Sequence, residues 1–362
     1  MEDRSCPASA SPCGRRAAGR ADMIASRLRY QRLATARPSV SAEPAAKVDV
    51  TPGILVLGSG PLATTIITRL QTNPRPGYRF MGYVETMNGE YRDRIKDILA
   101  GGGVKCVVVA LSERRGTLPT DELLDCKANG ISVEDGVTFY EKLSGKISLA
   151  GLNPSALIFS DGFKRLRFAM LCKRIVDVAV SAIGLILATP FLLIIPLAIK
   201  LDSQGPVVFR QERVGQHGRM VRLYKFRSMR CGPESHDQSR WAQKHDARLT
   251  RVGALIRRCR LDELPQLWNV LRGDMSFVGP RPDVQSLWDT LVAAVPYYRL
   301  RAAVKPGITG WAQVRYHYVS SIEDGIERHE YDLYYIKNMS VWLDVRIIIE
   351  TLKIVMLGRG AH

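Results

Sequence analysis

No two cysteines of this chain stand in C-x-x-C spacing, and no two histidines form an H-x-x-x-H pair. The seven cysteines (Cys6, Cys13, Cys106, Cys126, Cys172, Cys231 and Cys259) are odd in number and dispersed. Such a set argues against a disulfide framework or a structural zinc and fits a reducing cytosol. Without paired histidines, a tightly chelated transition metal is not expected. Acidic residues are also short: 35 Asp and Glu face 52 Lys and Arg, a net charge of +17. That imbalance calls for an anionic partner, which leaves nucleic acid, an anionic membrane surface or a phosphorylated substrate open. Residues 1–50 lack an apolar signal core, so passage through a secretion channel is not predicted. They are rich in Arg, Ala, Ser and Pro without sustained periodicity, and they read as a disordered basic lead-in that only loosely imitates a transit peptide.

What is present fits two domains in 362 residues. The first is expected over 51–145. An apolar strand at 53–57 runs into Gly58-Ser-Gly60-Pro-Leu-Ala63, a G-x-G-x-x-A turn opening a helix. Further strands are expected at 80–84 and 104–111, with a helix at 121–128, so the class is α/β with a small Rossmann-like parallel sheet. Glu85 stands where such a fold places a ribose-binding acid. Gly58 and Gly60 are therefore candidates for cofactor binding. Pro61, however, removes one N–H that could hold a pyrophosphate, so a degenerate, structural or regulatory nucleotide-fold domain is the expectation, and real dinucleotide or nucleotide-sugar binding the alternative. Residues 146–169 form a linker with Lys164, Arg165 and Arg167.

The second domain, 170–362, is expected to be mainly helical α/β and membrane-associated. Residues 178–199 carry no charge, and as a straight helix they would rise about 33 Å, enough for a hydrocarbon core of about 30 Å. Yet Thr189-Pro190 lies mid-segment, Pro196 follows, and basic residues flank both ends: Lys173 and Arg174 before, Lys200, Arg210 and Arg213 after. Positive charge on both sides assigns both ends to one face. A re-entrant helix over 175–201, broken at Thr189 and Pro190, satisfies both facts, with the Thr189 or Ser181 hydroxyl on the freed carbonyls. A true span and a buried soluble helix remain the alternatives.

Downstream, Asp262 and Glu263 stand just before Pro265, a residue favoured in a helix's first turn. Residues 266–272 are helix-compatible and Gly273 supplies a left-handed stop. Gly279-Pro-Arg-Pro282 is a stiff turn holding the Arg281 guanidinium in place. On those residues alone, an Asp-Glu pair is most often a solvated helix start. Around it lie LYKFRSM (223–229), in which alternation puts Lys225 and Arg227 on one strand face, and KPGITGWAQV (305–314), a tight loop presenting Thr309 and Gln313. A polar excursion covers 231–246. The aromatic and cationic run 296–301, with Trp288, suits a lipid headgroup layer or ordinary core packing. Ser340 is expected to cap a terminal apolar helix over 341–357.

RLDELPQLWNVLRGDMSFVGPRP (260–282), DSQGPVVFRQERVG (202–215), LYKFRSM and KPGITGWAQV together resemble the bacterial sugar transferases, the monotopic polyprenyl-phosphate phosphoglycosyl transferases. The likeness runs over about 170–357, and residues 140–163 resemble the exopolysaccharide-associated subgroup. That subgroup usually begins with several transmembrane helices, and residues 1–50 hold no such run. The resemblance implies a re-entrant helix broken at a proline, at the bacterial inner membrane with the site facing the cytoplasm. It implies transfer of a sugar 1-phosphate from a UDP-sugar, glucose or galactose by subgroup, to polyprenyl phosphate with release of UMP. It casts Asp262 as nucleophile, Glu263 as the Mg²⁺ ligand, and Lys225, Arg227, Arg257, Arg281 and Gln313 as substrate-binding. Nucleic acid is not an expected partner, because the apolar segment has no role there, and oligomeric state stays open. An NAD(P)-dependent oxidoreductase acting through Gly58 and Gly60, or a non-catalytic membrane scaffold, is the rival reading.

Overall fold

The computed structural model describes residues 52–72, 78–85, 91–111, 117–149, 152, 157–163, 167–230, 248–316 and 321–357. The basic lead-in, Lys164, Arg165 and the 231–246 excursion lie outside the described residues. The architecture is α/β. Strands β1 (Gly53–Leu57), β2 (Arg79–Val84), β3 (Val104–Val109) and β4 (Ser132–Asp135) make one sheet in the order β2-β1-β3-β4. The chain divides into two compact units, one of Met1–Val107 with Pro119–Ser132, the other of Val108–Leu118 with Val133–His362.

In the first unit β1 pairs in parallel with β2, and all five β1 residues are buried. A continuous apolar run is what a strand covered on both faces requires. Helix α1 (Pro61–Thr72) opens on its proline and buries Ala63, Ile66 and Leu70 at helical spacing. Gly58 adopts φ 129°, open to glycine alone. Its N–H donates to the Val84 carbonyl at 2.9 Å. That donor of the G-x-G turn is thus spent on the strand ladder. Helices α2 (Tyr91–Ala100) and α3 (Thr120–Ala128) are joined by the Arg92–Glu122 ion pair.

The second unit opens with α4 (Gly136–Ser144), capped by the Asp135 carboxylate on the Val137 and Thr138 N–H groups and stopped by Gly145 at φ 69°. Then comes α5 (Arg167–Asp202), 36 residues long. Among the described residues it is the one helix long and apolar enough to cross a membrane. The expected break at Thr189 and Pro190 takes a different form: the chain stays helical through Pro190 and Pro196. The Thr189 hydroxyl donates to the Leu185 carbonyl at 3.0 Å, a back-bond that bends a helix without ending it. A proline deletes one rung and kinks the axis, and the flanking rungs persist. Ser181 is fully buried and its hydroxyl has no partner.

Polar clasps tie both ends of α5 to this unit. At the start, Lys173 reaches Asp344 (2.6 Å) and the Val278 carbonyl, and Asp177 accepts from the Ser276 hydroxyl and the Phe277 N–H. Arg174 holds the Val270 and Leu271 carbonyls. At the other end Ile195 and Ile199 pack against Phe226 and Ile256. Between the clasps Ile186, Leu187, Leu193, Ile194 and Leu197 are exposed. The antiparallel hairpin of β5 (Val208–Val214) and β6 (Met220–Phe226) leads to α6 (Arg251–Arg258) and α7 (Gln266–Arg272). Strands β7 (Ser276–Val278) and β8 (Gly307–Thr309) pair in parallel, with α8 (Gln285–Ala294) between them. Helices α9 (Trp311–Arg315), α10 (Ile322–Lys337) and α11 (Val341–Met356) complete the unit. They share a core of Val278, Trp311, Tyr335, Leu343 and Ile347. The Ser340 side chain caps α11 as expected, accepting from the Leu343 N–H.

Candidate active site

Thr250 caps α6 through its side chain on the Gly253 N–H, and α6 ends in the turn that carries the two carboxylates. Arg260 takes φ 57°, a left-handed conformation that reverses the chain sharply. Leu261–Glu263 then form one 3₁₀ turn, Pro265 precedes α7, and Gly273 stops it at φ 91°. Asn269 locks α7 to β6, accepting from the Tyr224 N–H and donating to the Arg222 carbonyl. This double bond sets the register that brings Lys225, near the end of β6, level with Glu263.

Both carboxylates are buried, Asp262 at 7% and Glu263 at 9% exposure, so the solvated-helix-start reading fails here. Glu263 Oε1 accepts from Lys225 Nζ at 3.0 Å and from Arg281 Nη2 at 2.9 Å, and Arg260 lies 4.0 Å from Oε2. Burial alone would push the Glu263 carboxyl up. Lys225, Arg281 and Arg260 outweigh it and hold the group well below the usual carboxylate range. Asp262 goes the other way: burial and the neighbouring Glu263 charge raise it, against the pull of Lys225, Arg257 and Arg281. Among the described residues no hydrogen bond reaches the Asp262 carboxylate. Burial also lowers Lys225, with Glu263 opposing. The pair thus sets one carboxylate hydrogen-bonded to two cations beside one that is buried and, among the described residues, accepts no hydrogen bond.

Of the residues expected from sequence, Asp262, Glu263, Lys225 and Arg281 come together, and Arg257 joins them electrostatically through Asp262. Arg227 parts from Lys225. It is buried, and its Nη2 donates to the Ile199 and Ser203 carbonyls and the Ser203 hydroxyl, closing the C-terminal end of α5. Strand β6 ends at Phe226, so the alternation that would have aligned the two cations stops one residue short. Thr309 and Gln313 turn inward, Thr309 to the Thr351 hydroxyl and Gln313 Nε2 to the Ile308 carbonyl; Gln313 Oε1 is buried without a partner. Gly58 and Gly60 belong to the other unit.

Residues 168–358 match the family model described as bacterial sugar transferase. The chain belongs to that family. A UDP-N-acetylgalactosamine-undecaprenyl-phosphate N-acetylgalactosaminephosphotransferase of Aeromonas hydrophila is 47% identical over 190 residues, 52% of this chain and 45% of that protein. A UDP-glucose:undecaprenyl-phosphate glucose-1-phosphate transferase of Klebsiella pneumoniae is 34% identical over 319 residues, 84% of this chain and 68% of that one. The exopolysaccharide production protein PSS of Rhizobium leguminosarum is 44% identical over 192 residues, 50% of this chain but 94% of that protein. The chain thus spans about half the length of the Aeromonas sugar transferase and most of the Rhizobium protein's.

Sequence reasoning missed a second set of charges in this sugar transferase. Asp283 accepts from the Tyr298 hydroxyl, from Arg301 and from Arg328. Arg301 also pairs with Asp332 (2.9 Å). Tyr298 and Arg301 are 2% and 4% exposed, so core packing holds for these two, while Pro296 and Arg299 of the same run are exposed. Nothing in a local window shows that Arg301 meets Asp332. The i, i+4 spacing of Arg328 and Asp332 on α10 was the only available signal.

Proposed function

We propose that this protein transfers a sugar 1-phosphate from a UDP-sugar to polyprenyl phosphate, as the initiating step of exopolysaccharide synthesis. The observation that carries the reading is the asymmetric pair: Asp262 buried, unbonded and raised beside Glu263, which two cations neutralise. A desolvated carboxylate without a hydrogen bond is a stronger nucleophile than a solvated one. An Asp262 oxygen attacks the β-phosphorus of the donor, a P–O bond forms, and the bond to the α-phosphate breaks so that UMP leaves with the bridging oxygen. A phosphate oxygen of the lipid then attacks the same phosphorus and releases the Asp262 carboxylate. Lys225, Arg257 and Arg281, which act electrostatically on Asp262, would neutralise the diphosphate, arginine's planar fork suiting two oxygens at once.

The donor set fits a magnesium ion that arrives with substrate and does not fit an all-protein cage. Among the described residues no three His, Cys, Asp or Glu side chains gather as a metal group, while Glu263 Oε2 faces only Arg260 at 4.0 Å. Magnesium commonly binds through one or two carboxylates plus substrate phosphates. When bound, it would supply charge neutralisation to the leaving phosphate. Glucose is the donor we favour, with galactose second; the named donors of the Klebsiella and Aeromonas relatives are UDP-glucose and UDP-N-acetylgalactosamine.

We further read α5 as a re-entrant element of the bacterial inner membrane, kinked at Pro190, with the site facing the cytoplasm. The support is that the clasps at Lys173, Arg174 and Asp177 and at Arg227 return both ends to one unit, with exposed apolar side chains between. The first unit's Rossmann-like character and any nucleotide at Gly58 and Gly60 are part of this proposal only as a regulatory element. UMP release from a panel of UDP-sugars, with polyprenyl phosphate and Mg²⁺, tests the reading. Turnover with at least one donor is expected, and its absence with every donor, in a folded lipid-reconstituted protein, would defeat it.

A further inference from the structure

The four residues that carry Arg281 have every backbone carbonyl held. The Pro280 carbonyl accepts from the Gly307 N–H at 3.0 Å and the Asp283 carbonyl from the Val214 N–H at 2.9 Å. The Pro282 carbonyl accepts from Arg213 Nη1 at 3.0 Å. The Arg281 carbonyl differs, because two guanidinium groups converge on it, Arg301 Nη2 at 2.8 Å and Arg328 Nη2 at 2.6 Å. The flanking prolines have their own φ fixed and Pro282 restricts ψ of Arg281, and the two donors hold the orientation of the Arg281 carbonyl.

The two donors are themselves immobilised. Asp283 accepts from both, and Asp332 pairs with Arg301 at 2.9 Å and lies 3.8 Å from Arg328. The Tyr298 hydroxyl donates to Asp283. Tyr298 and Arg301 come from the Tyr298–Ala303 turn, Arg328 and Asp332 from α10, and Asp283 from the Arg281 turn itself; among the described residues none of them bonds Asp262 or Glu263. At the far end of the same residue, Arg281 Nη2 meets Glu263 Oε1. One residue therefore has its main chain clamped by one ionic cluster and its side chain in the other.

We propose that Arg301 and Arg328 are positioning residues: they set the Arg281 guanidinium against Glu263 and the donor phosphates by gripping the Arg281 carbonyl, with Asp283 and Asp332 as the counter-ions that hold the grip. The inference rests on the reading of Arg281 as a phosphate-binding residue. A guanidinium misplaced by about 1 Å loses much of its transition-state contact, whereas a cluster that only stabilised the fold would act on activity without regard to Arg281.

The test is a double-mutant cycle on the full chain in lipid nanodiscs, using Arg328→Lys, Arg281→Ala and the pair. Arg328→Lys keeps the charge on a shorter side chain, which falls short of the Nη2 position that donates to both the Arg281 carbonyl and Asp283 and lacks the Nε beside Asp332. It is expected to lower kcat by about ten- to a hundredfold, and by less than about twofold once Arg281 is already alanine. The same fold-loss in both backgrounds would overturn the proposal. If Arg328→Lys does not fold, Asp332→Asn takes its place in the cycle. A second readout needs no turnover: the Arg281 Nε–H resonance in ¹⁵N-arginine-labelled protein, assigned by its loss in Arg281→Ala. It should stand apart from exposed arginines in the wild type and merge with them in Arg328→Lys. An unmoved resonance would refute the grip. Were the wild type to release no UMP from any donor, the functional reading would fail and this resonance would still decide the positioning role.

Discussion

The Asp262–Glu263 pair and the Asp283–Asp332 pair are both buried among arginines, yet only one of them is closed. In both, burial raises one carboxyl, Asp262 or Asp332, while cations hold the other, Glu263 or Asp283, low. The difference is in the raised member. Asp332 accepts from Arg301 Nε at 2.9 Å, so its charge is matched by a fixed partner. Asp262 has no such bond among the described residues. A buried carboxylate left unpaired costs stability, and a protein keeps one where that carboxylate has work to do on a substrate. The closed pair is built as scaffold, and the open pair is the one we propose as the site.

Four substitutions or titrations would break or sharpen that contrast. Asp262→Asn should abolish turnover, a loss of about 10⁴-fold or more as for other covalent nucleophiles, and residual turnover near wild type would remove Asp262 as the attacking group. Asp283→Ala should leave Arg301 and Arg328 to share Asp332 alone in the interior, two buried cations against one carboxylate. Breaking a buried pair costs about 3–5 kcal/mol, read as a lower urea midpoint; an unchanged midpoint would mean that the cluster is not closed. Arg281→Ala should cost about a hundredfold in kcat/KM with a smaller drop in the urea midpoint than Asp283→Ala, because Lys225 still pairs with Glu263.

The smallest effect is on the pH dependence of stability. The folded-state pKa of Asp262 is raised, so its ionised form weakens the fold above that pKa. Asp262→Asn should then raise Tm at neutral pH, by about 2–4 °C for each 1 kcal/mol recovered. Glu263 and Asp283 have depressed pKa values. The stability they contribute is present above the ordinary carboxylate range and is lost as pH falls through it toward their folded values. Asp262→Asn should therefore gain at pH 7 and lose its advantage in acid, where wild-type Asp262 is already neutral.

The sequence shows the open pair far more readily than the closed one. Asp262 and Glu263 are adjacent, Pro265 and Gly273 punctuate their helix, and prolines bracket Arg281, so local chemistry alone predicts that turn. Lys225 was reachable through the likeness of LYKFRSM to the sugar transferases. Arg227 was misplaced because its partners, Ile199 and Ser203, come from the end of a distant helix. Arg301 and Asp283 were invisible for the same reason: charge pairing across elements leaves no period in a sequence, and only the i, i+4 spacing of Arg328 and Asp332 on α10 hinted at the cluster. The long helix shows the opposite limit. Its composition predicted an apolar segment, and Thr189-Pro190 predicted a break, but a proline removes only one rung and the chain remains helical across it.

The central claim is that the unpaired carboxylate becomes covalently linked to the donor's phosphosugar. Intact-mass measurement of the lipid-reconstituted protein, incubated with UDP-sugar and Mg²⁺ but no polyprenyl phosphate, tests it directly. The account predicts an added sugar phosphate that maps to the peptide containing Asp262 and disappears when acceptor lipid is supplied. Product formation with no adduct at any time, or an adduct on another side chain, would contradict it.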